Sequence, residues 1–208
     1  HVIELLDWQL DQDGKEFIVL EYAQGPILED VIAHDRPPQE CIRIALALLE
    51  AVQAVHVAGF LHRDVKPGHV IVQDVGLKLI DFGLVMPLSA GLPGSAWKRL
   101  TNDLHSMGTG TYMSPERLTR RQDIDVRGDI YAVGMTLYEM LSGGQNPFGD
   151  LVGKTPPQMT EGAKDISIWK PDLSGKLCAA VMRAISHKAV DRFCDAAEMR
   201  QALLEAQP

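Results

Sequence analysis

Cysteine is scarce and scattered, with Cys41, Cys178 and Cys194 the three in 208 residues. They are odd in number, far apart and never in a C-x-x-C spacing, which argues against a disulfide framework and against a zinc site. A reducing compartment, the cytoplasm, is the location this usage predicts. Basic charge is also in deficit: 20 Lys and Arg stand against 28 Asp and Glu, a formal net charge of −8. There is no basic cluster of the kind that neutralising nucleic-acid phosphates requires, so the expected polymer partner is protein. No apolar run approaches the roughly 18 uncharged residues of a spanning helix, and the opening His1-Val2-Ile3-Glu4 lacks the charged-then-apolar pattern of a signal peptide. No membrane segment is predicted in this chain, although a longer parent could carry one. What is present is ordinary: 46% hydrophobic and 23% charged residues suffice to close one core and exclude disorder, collagen and coiled coil.

Periodicity divides the chain. Residues 2–8 and 17–22 are rich in branched and aromatic side chains and flank Asp13-Gly14, a hairpin dipeptide, which predicts two antiparallel strands. Residues 39–56 are apolar nearly all round (Ile42, Ile44, Leu46, Leu48, Leu49, Val52, Val55) and too long for a strand, so a buried central helix is expected. A second small hairpin is predicted from 70–72 and 77–80. Residues 84–111 then lose all periodicity, a length of irregular chain that is usually functional or mobile. A helix over 129–142 is stopped by Gly143-Gly144, while Ser174 and Asp195 are placed to cap two further helices. Asp195 with Glu198 forms a D-x-x-E variant of the capping box.

The segment His62-Arg63-Asp64-Val65-Lys66-Pro67-Gly68-His69 lies between the buried helix and the second hairpin, and Asp81-Phe82-Gly83 follows that hairpin directly. The hairpin can bring both aspartates to one rim. These residues closely resemble the catalytic loop H-R-D-x-x-x-x-N and the metal-binding D-F-G of protein kinases. Gly108-Thr109-Gly110-Thr111-Tyr112-Met113-Ser114-Pro115-Glu116 is similar to the family's segment ending in A-P-E, with Ser for Ala. Asp129-Ile130-Tyr131-Ala132-Val133-Gly134 and Asp191-Arg192-Phe193 continue the likeness over almost the whole chain, in the style of bacterial serine/threonine kinases of the eukaryotic type. The resemblance implies an α+β, protein kinase-like fold. Residues 1–23 would be the last two strands of the small N-lobe and the hinge, and 24–208 the helical C-lobe.

The resemblance also implies roles. Asp64 would accept the proton of a substrate hydroxyl, and Lys66 would neutralise charge at the γ-phosphate of ATP, marking serine/threonine rather than tyrosine substrates on proteins. Thr109 would hydrogen-bond near both. Asp81 would ligate Mg2+, since that hard ion wants carboxylate oxygen, while Phe82 packs to set the state of the loop. Leu20-Glu21-Tyr22-Ala23 resembles the hinge that holds adenine, with backbone groups of Glu21 and Ala23 pairing with the base and Leu20 gating the pocket. Asp129 would accept catalytic-loop N–H groups, Glu116 and Arg192 would form a buried ion pair, and His62 would be a packed structural histidine. Arg63 before Asp64 marks the subclass controlled by phosphorylation of the long loop, here expected among Ser95, Thr101 and Ser106, with Thr101 first. Singly, each of these residues also has a plainer reading as a loop, turn or surface side chain.

Two departures stand out. His69 occupies the place of the family's metal-binding Asn, and imidazole nitrogen suits ions softer than Mg2+, so Mn2+ enters as an alternative metal. Gly68 replaces an acid common in kinases that prefer basic substrates. The larger departure is that no G-x-G-x-x-G and no V-A-I-K precede the hinge. The expectation is a longer kinase cut within its small lobe and inactive in this form. The competing expectation is a catalytically silent scaffold that keeps the helical platform for docking.

Overall fold

The computed structural model describes residues 1–32, 34, 36–88, 109–119, 125–149 and 162–207. In chain order the strands are β1 (Leu5–Leu10), β2 (Glu16–Leu20), β3 (Phe60–Leu61), β4 (Val70–Val72), β5 (Leu77–Leu79) and β6 (Met86–Pro87). The helices are α1 (Leu28–Val31), α2 (Pro38–Val57), α3 (Pro115–Leu118), α4 (Arg127–Ser142), α5 (Gly175–Ala184) and α6 (Ala196–Glu205).

β1 and β2 pair antiparallel, Trp8 opposite Ile18 and Gln9 opposite Phe17. Their turn is organised by Asp11, whose Oδ1 accepts the N–H groups of Asp13 and Lys15 at 2.9 and 2.7 Å. Gly14 closes it at φ 77°, a left-handed conformation that suits glycine. Every residue of this ribbon is exposed. Its ends tie it to the body: the Ile3 N–H donates to the Leu79 carbonyl at 3.0 Å, and Glu21 pairs with Lys78 on β5.

The body is helical. Pro37 and Pro38 open α2, where a missing N–H costs nothing because the first turn has no acceptor for it. The helix buries Ile42, Ile44, Leu48, Leu49 and Val52 almost completely and packs on α4 and α6, each such side chain contributing about 1.5–3 kcal/mol. α4 is enclosed further still, with every residue from Asp129 to Ser142 buried. It touches α5 so closely at Gly134 that an added Cβ would stand 2.6 Å from the Ala184 Cβ. Gly143, at φ 71°, ends α4, and the Gly144 N–H reaches back to the Glu139 carbonyl at 2.8 Å. Both predicted caps are made: Ser174 Oγ accepts the Leu177 N–H and Asp195 Oδ1 the Glu198 N–H. Glu198 returns the bond to Cys194 N–H, one residue ahead of the cap.

Candidate active site

One buried carboxylate holds the loop at 62–69 from below. Asp129, 3% exposed in the first turn of α4, accepts the His62 N–H at 2.9 Å, the Arg63 N–H at 2.8 Å and a bond from His56 Nε2 at 2.9 Å. Burial pushes its carboxyl up, but these donors, His56 first, prevail and hold it below the ordinary carboxylate range. The support is needed because Arg63 sits at φ 69°, and with Asp81 at φ 63° it is one of the two non-glycine residues in the left-handed region among those described. Aspartate tolerates that region; for arginine the strain is of order 1 kcal/mol or more. His62 is fully buried and edge-on to Phe82, ring centroids 4.8 Å apart. Burial drives its pKa down against the pull of Asp129, which keeps it a neutral packing group.

The β4–β5 hairpin then delivers Asp81. Val70 pairs with Leu79, and the ladder runs one step further as the Ile80 N–H donates to the His69 carbonyl at 2.9 Å. His69 and Asp81 are thereby set side by side, on the same rim as Asp64. Lys66 Nζ lies 3.0 Å from Asp64 Oδ2, and His69 Nδ1 lies 2.9 Å from the Asp64 main-chain oxygen. His69 Nε2 is 3.1 Å from Asp81 Oδ2, and donor atoms of Asp64, His69 and Asp81 all fall within 4.8 Å of one another.

That arrangement suits a divalent cation. A carbonyl oxygen only accepts, so His69 Nδ1 carries a proton, and Nε2 faces the Asp81 carboxylate. A divalent cation seated between Nε2 and that carboxylate would be ligated by both. Their separation is also about that of adjacent donors around an octahedral ion with bonds of ~2.1 Å.

The hinge candidates border the same hairpin. Leu20 ends β2, and Glu21 is held by Lys78 and by accepting the Glu4 N–H at 2.9 Å, which together bring its carboxyl below the usual range. The Glu21 N–H itself donates to the Glu4 carbonyl at 3.0 Å, leaving the Glu21 carbonyl and the Ala23 N–H as the groups able to face a base. Gly25, at φ 144°, lets the segment after β2 lie against β4, since a Cβ there would fall 1.9 Å from the Val72 oxygen. Thr109 opens a short turn, Thr109–Tyr112, but its side chain lies outside the described residues, as do Ser95, Thr101 and Ser106.

Two anchors complete the platform. Arg192 donates both terminal nitrogens to Glu116 at 2.8 Å and also reaches the carbonyls of Ser186, His187 and Arg127. Burial raises the Glu116 carboxyl, but Arg192 more than offsets this and leaves it lowered. The second anchor has no motif: Tyr112 OH donates to Glu139 at 2.6 Å, and burial chiefly, then the charge of Glu29, raises Glu139 to about 7 against that bond. Glu29 also fills the room at Gly68, its Oε2 2.9 Å from where a Cβ would stand. His56, Glu29 and Glu139 carry no local pattern by which the sequence alone singles them out.

An exposed strand ribbon joined to a helical body, with a carboxylate–lysine pair and a second carboxylate on one rim, is the architecture of the kinases. The family model described as the protein kinase domain matches residues 1–196, and the chain belongs to that family, on its serine/threonine side. It is 32% identical over 201 residues to the probable serine/threonine-protein kinase CE0033 of Corynebacterium efficiens, covering 92% of this chain and 30% of that protein. Serine/threonine-protein kinase pkn3 of Myxococcus xanthus is 32% identical over 212 residues, covering 97% and 38%. The chain thus spans about a third of the length of these relatives. Its fold is that of the Mycobacterium tuberculosis PknI kinase domain, with a TM-score of 0.71 at 27% identity over 100% of this chain and 72% of that one.

Proposed function

We propose that this chain is the substrate-facing part of a serine/threonine protein kinase that transfers the γ-phosphate of ATP to protein hydroxyls. The convergence of Asp64, Lys66, His69 and Asp81 on one rim carries the reading. The hydroxyl oxygen forms the new bond to phosphorus as the bond to the ADP oxygen breaks, and the hydroxyl proton passes to the Asp64 carboxylate. Lys66, already paired with Asp64 Oδ2, neutralises charge on the transferring group. Asp81 and His69 would hold a divalent cation, Mg2+ or Mn2+, which supplies charge neutralisation at the phosphates. The Glu21 carbonyl and Ala23 N–H would receive the adenine edge beside Leu20, and Thr109 would bond near Asp64. Division at residue 23, between the end of an N-lobe and a C-lobe, belongs to the same proposal. So does a cytoplasmic setting with no nucleic-acid partner; the three cysteines are free, and no described helix is long and apolar enough to cross a membrane.

These 208 residues hold no G-x-G-x-x-G and no V-A-I-K, so turnover is proposed for a chain that supplies those parts. A docking scaffold without turnover is the second reading, favoured by His69 where the family has Asn. The deciding assay is transfer of radiolabelled γ-phosphate by the full-length protein to itself and to a generic protein, in Mg2+ or Mn2+. Incorporation on Ser or Thr that Asp64→Asn abolishes is expected, faster in Mn2+ than in Mg2+, with the preference lost in His69→Asn. No incorporation by folded protein in either metal refutes the reading in favour of the scaffold. Autophosphorylation is proposed in the stretch 84–111, Thr101 first, and phosphopeptide mapping of active protein that finds the stretch unmodified refutes it.

A further inference from the structure

The imidazole at position 69 is fixed at its far nitrogen. Its Nδ1–H donates to the Asp64 main-chain oxygen at 2.9 Å, which turns Nε2 toward Asp81 Oδ2, 3.1 Å away. Metal-binding histidines are oriented in this way, by a carbonyl or carboxylate at the nitrogen that does not ligate. Asp81 is held from behind as well: its Oδ1 accepts the Gly83 N–H at 3.1 Å, so Oδ2 is the oxygen presented to His69. The 3.1 Å gap lies between the spacings of neighbouring donors in octahedral and tetrahedral shells with bonds of about 2.1 Å, and this pair takes up an ion without rearrangement. Asp64 stands beside them, its side chain and the His69 side chain each 12% exposed. Donor atoms of all three residues lie within 4.8 Å of one another, so a small turn of the Asp64 carboxylate closes it on a shared ion.

We infer that Asp64, His69 and Asp81 form a site for Zn2+ that fills without nucleotide and closes the rim to substrate. The donor set decides the metal. One imidazole nitrogen and two carboxylates are the ligand types of a zinc ion that keeps a position for water, and Asp81, its side chain 54% exposed, leaves that position open to solvent. Mg2+ takes oxygen, sheds its water reluctantly and usually relies on substrate phosphates for part of its shell, while a mixed nitrogen and oxygen set binds Zn2+ more tightly than Mn2+. Lys66 opposes the ion, because its ammonium pairs with Asp64 Oδ2 at 3.0 Å and repels a second cation there. The closure rests on the proposed kinase reading: a carboxylate of Asp64 that ligates Zn2+ cannot take the hydroxyl proton. Binding of the ion does not depend on that reading.

The test is equilibrium dialysis of the full-length protein against Zn2+, with no nucleotide and with Mg2+ in excess. Saturable uptake of one Zn2+ is expected, weakened about 10-fold or more by His69→Asn and tightened by Lys66→Met. If His69→Asn does not fold, Asp81→Asn is expected to weaken uptake in the same way. Zn2+ held instead by a cysteine or by another histidine is indifferent to these variants, and that result overturns the site, as does uptake that excess Mg2+ suppresses. Closure is read separately, by radiolabelled γ-phosphate transfer in Mg2+. At Zn2+ that fills the site, transfer is expected to fall about 10-fold or more and to return when a chelator removes the ion. Transfer at the unloaded rate with Zn2+ shown to be bound overturns the closure. A protein that transfers no phosphate with or without Zn2+ sinks the kinase reading and the closure with it, while dialysis still decides the metal site.

Discussion

Glu139 offers a test in which sign and size both follow from the structure. It is 7% exposed, and burial, with the like charge of Glu29, lifts its pKa from 4.5 to about 7 despite the Tyr112 hydroxyl. Between those values the folded chain holds a proton that the unfolded chain releases. Stability therefore falls as pH rises through this window, is fully present below about 4.5 and is lost above about 7. The shift corresponds to about 3 kcal/mol, which for 208 residues is about 7 °C in Tm. Glu139→Gln removes the titration, and the amide oxygen can still accept from Tyr112. Melting curves of both proteins at pH 5, 6, 7 and 8 isolate the contribution, because every other titrating group cancels in the difference. The variant is expected to gain on the wild type steadily up to pH 7 and level off above it. Glu29→Gln, which withdraws the like charge, is expected to shrink the gain. Parallel curves across the whole range would refute the reasoning, since they would mean that Glu139 is charged in the folded protein as easily as in the unfolded one.

Glu116→Gln is expected to lower stability by about 3–5 kcal/mol, about 7–11 °C in Tm, because the fully buried Arg192 loses its bidentate partner. The double variant Glu116→Gln with Arg192→Met recovers part of that loss in calorimetry; an equal or larger loss would show that the carbonyl bonds of Arg192, rather than the ion pair, are what matters. Asp195→Ala removes the cap at Glu198 N–H and is expected to cost about 1 kcal/mol, about 2 °C, with Asp195→Asn close to the wild type in the same melts.

These sites differ in how far they are legible in the sequence, and the difference follows the range over which each residue acts. The Asp13-Gly14 hairpin, the stop at Gly143-Gly144 and the Ser174 and Asp195 caps are decided by neighbours within a few positions, and all four are made. The ordered motifs likewise place Asp64, Lys66 and Asp81, because the short β4–β5 hairpin leaves little choice about where Asp81 emerges. What escapes is long-range and brief. The two-residue strands β3 and β6 are too short to carry a period, and Phe60 and Leu61 meet Pro87 and Met86 only through the fold. Asp129 is predictable as an acceptor of loop N–H groups, but its third donor, His56, comes from the far end of α2 and has no local mark. Arg117 is the extreme instance. In sequence it is one more basic residue of a surface-like Pro-Glu-Arg-Leu helix, for which exposure is the default. Packing instead buries it beside Arg63, with its Nε and Nη2 lacking a hydrogen-bond partner among the described residues, and burial above all brings its guanidinium down to about 10.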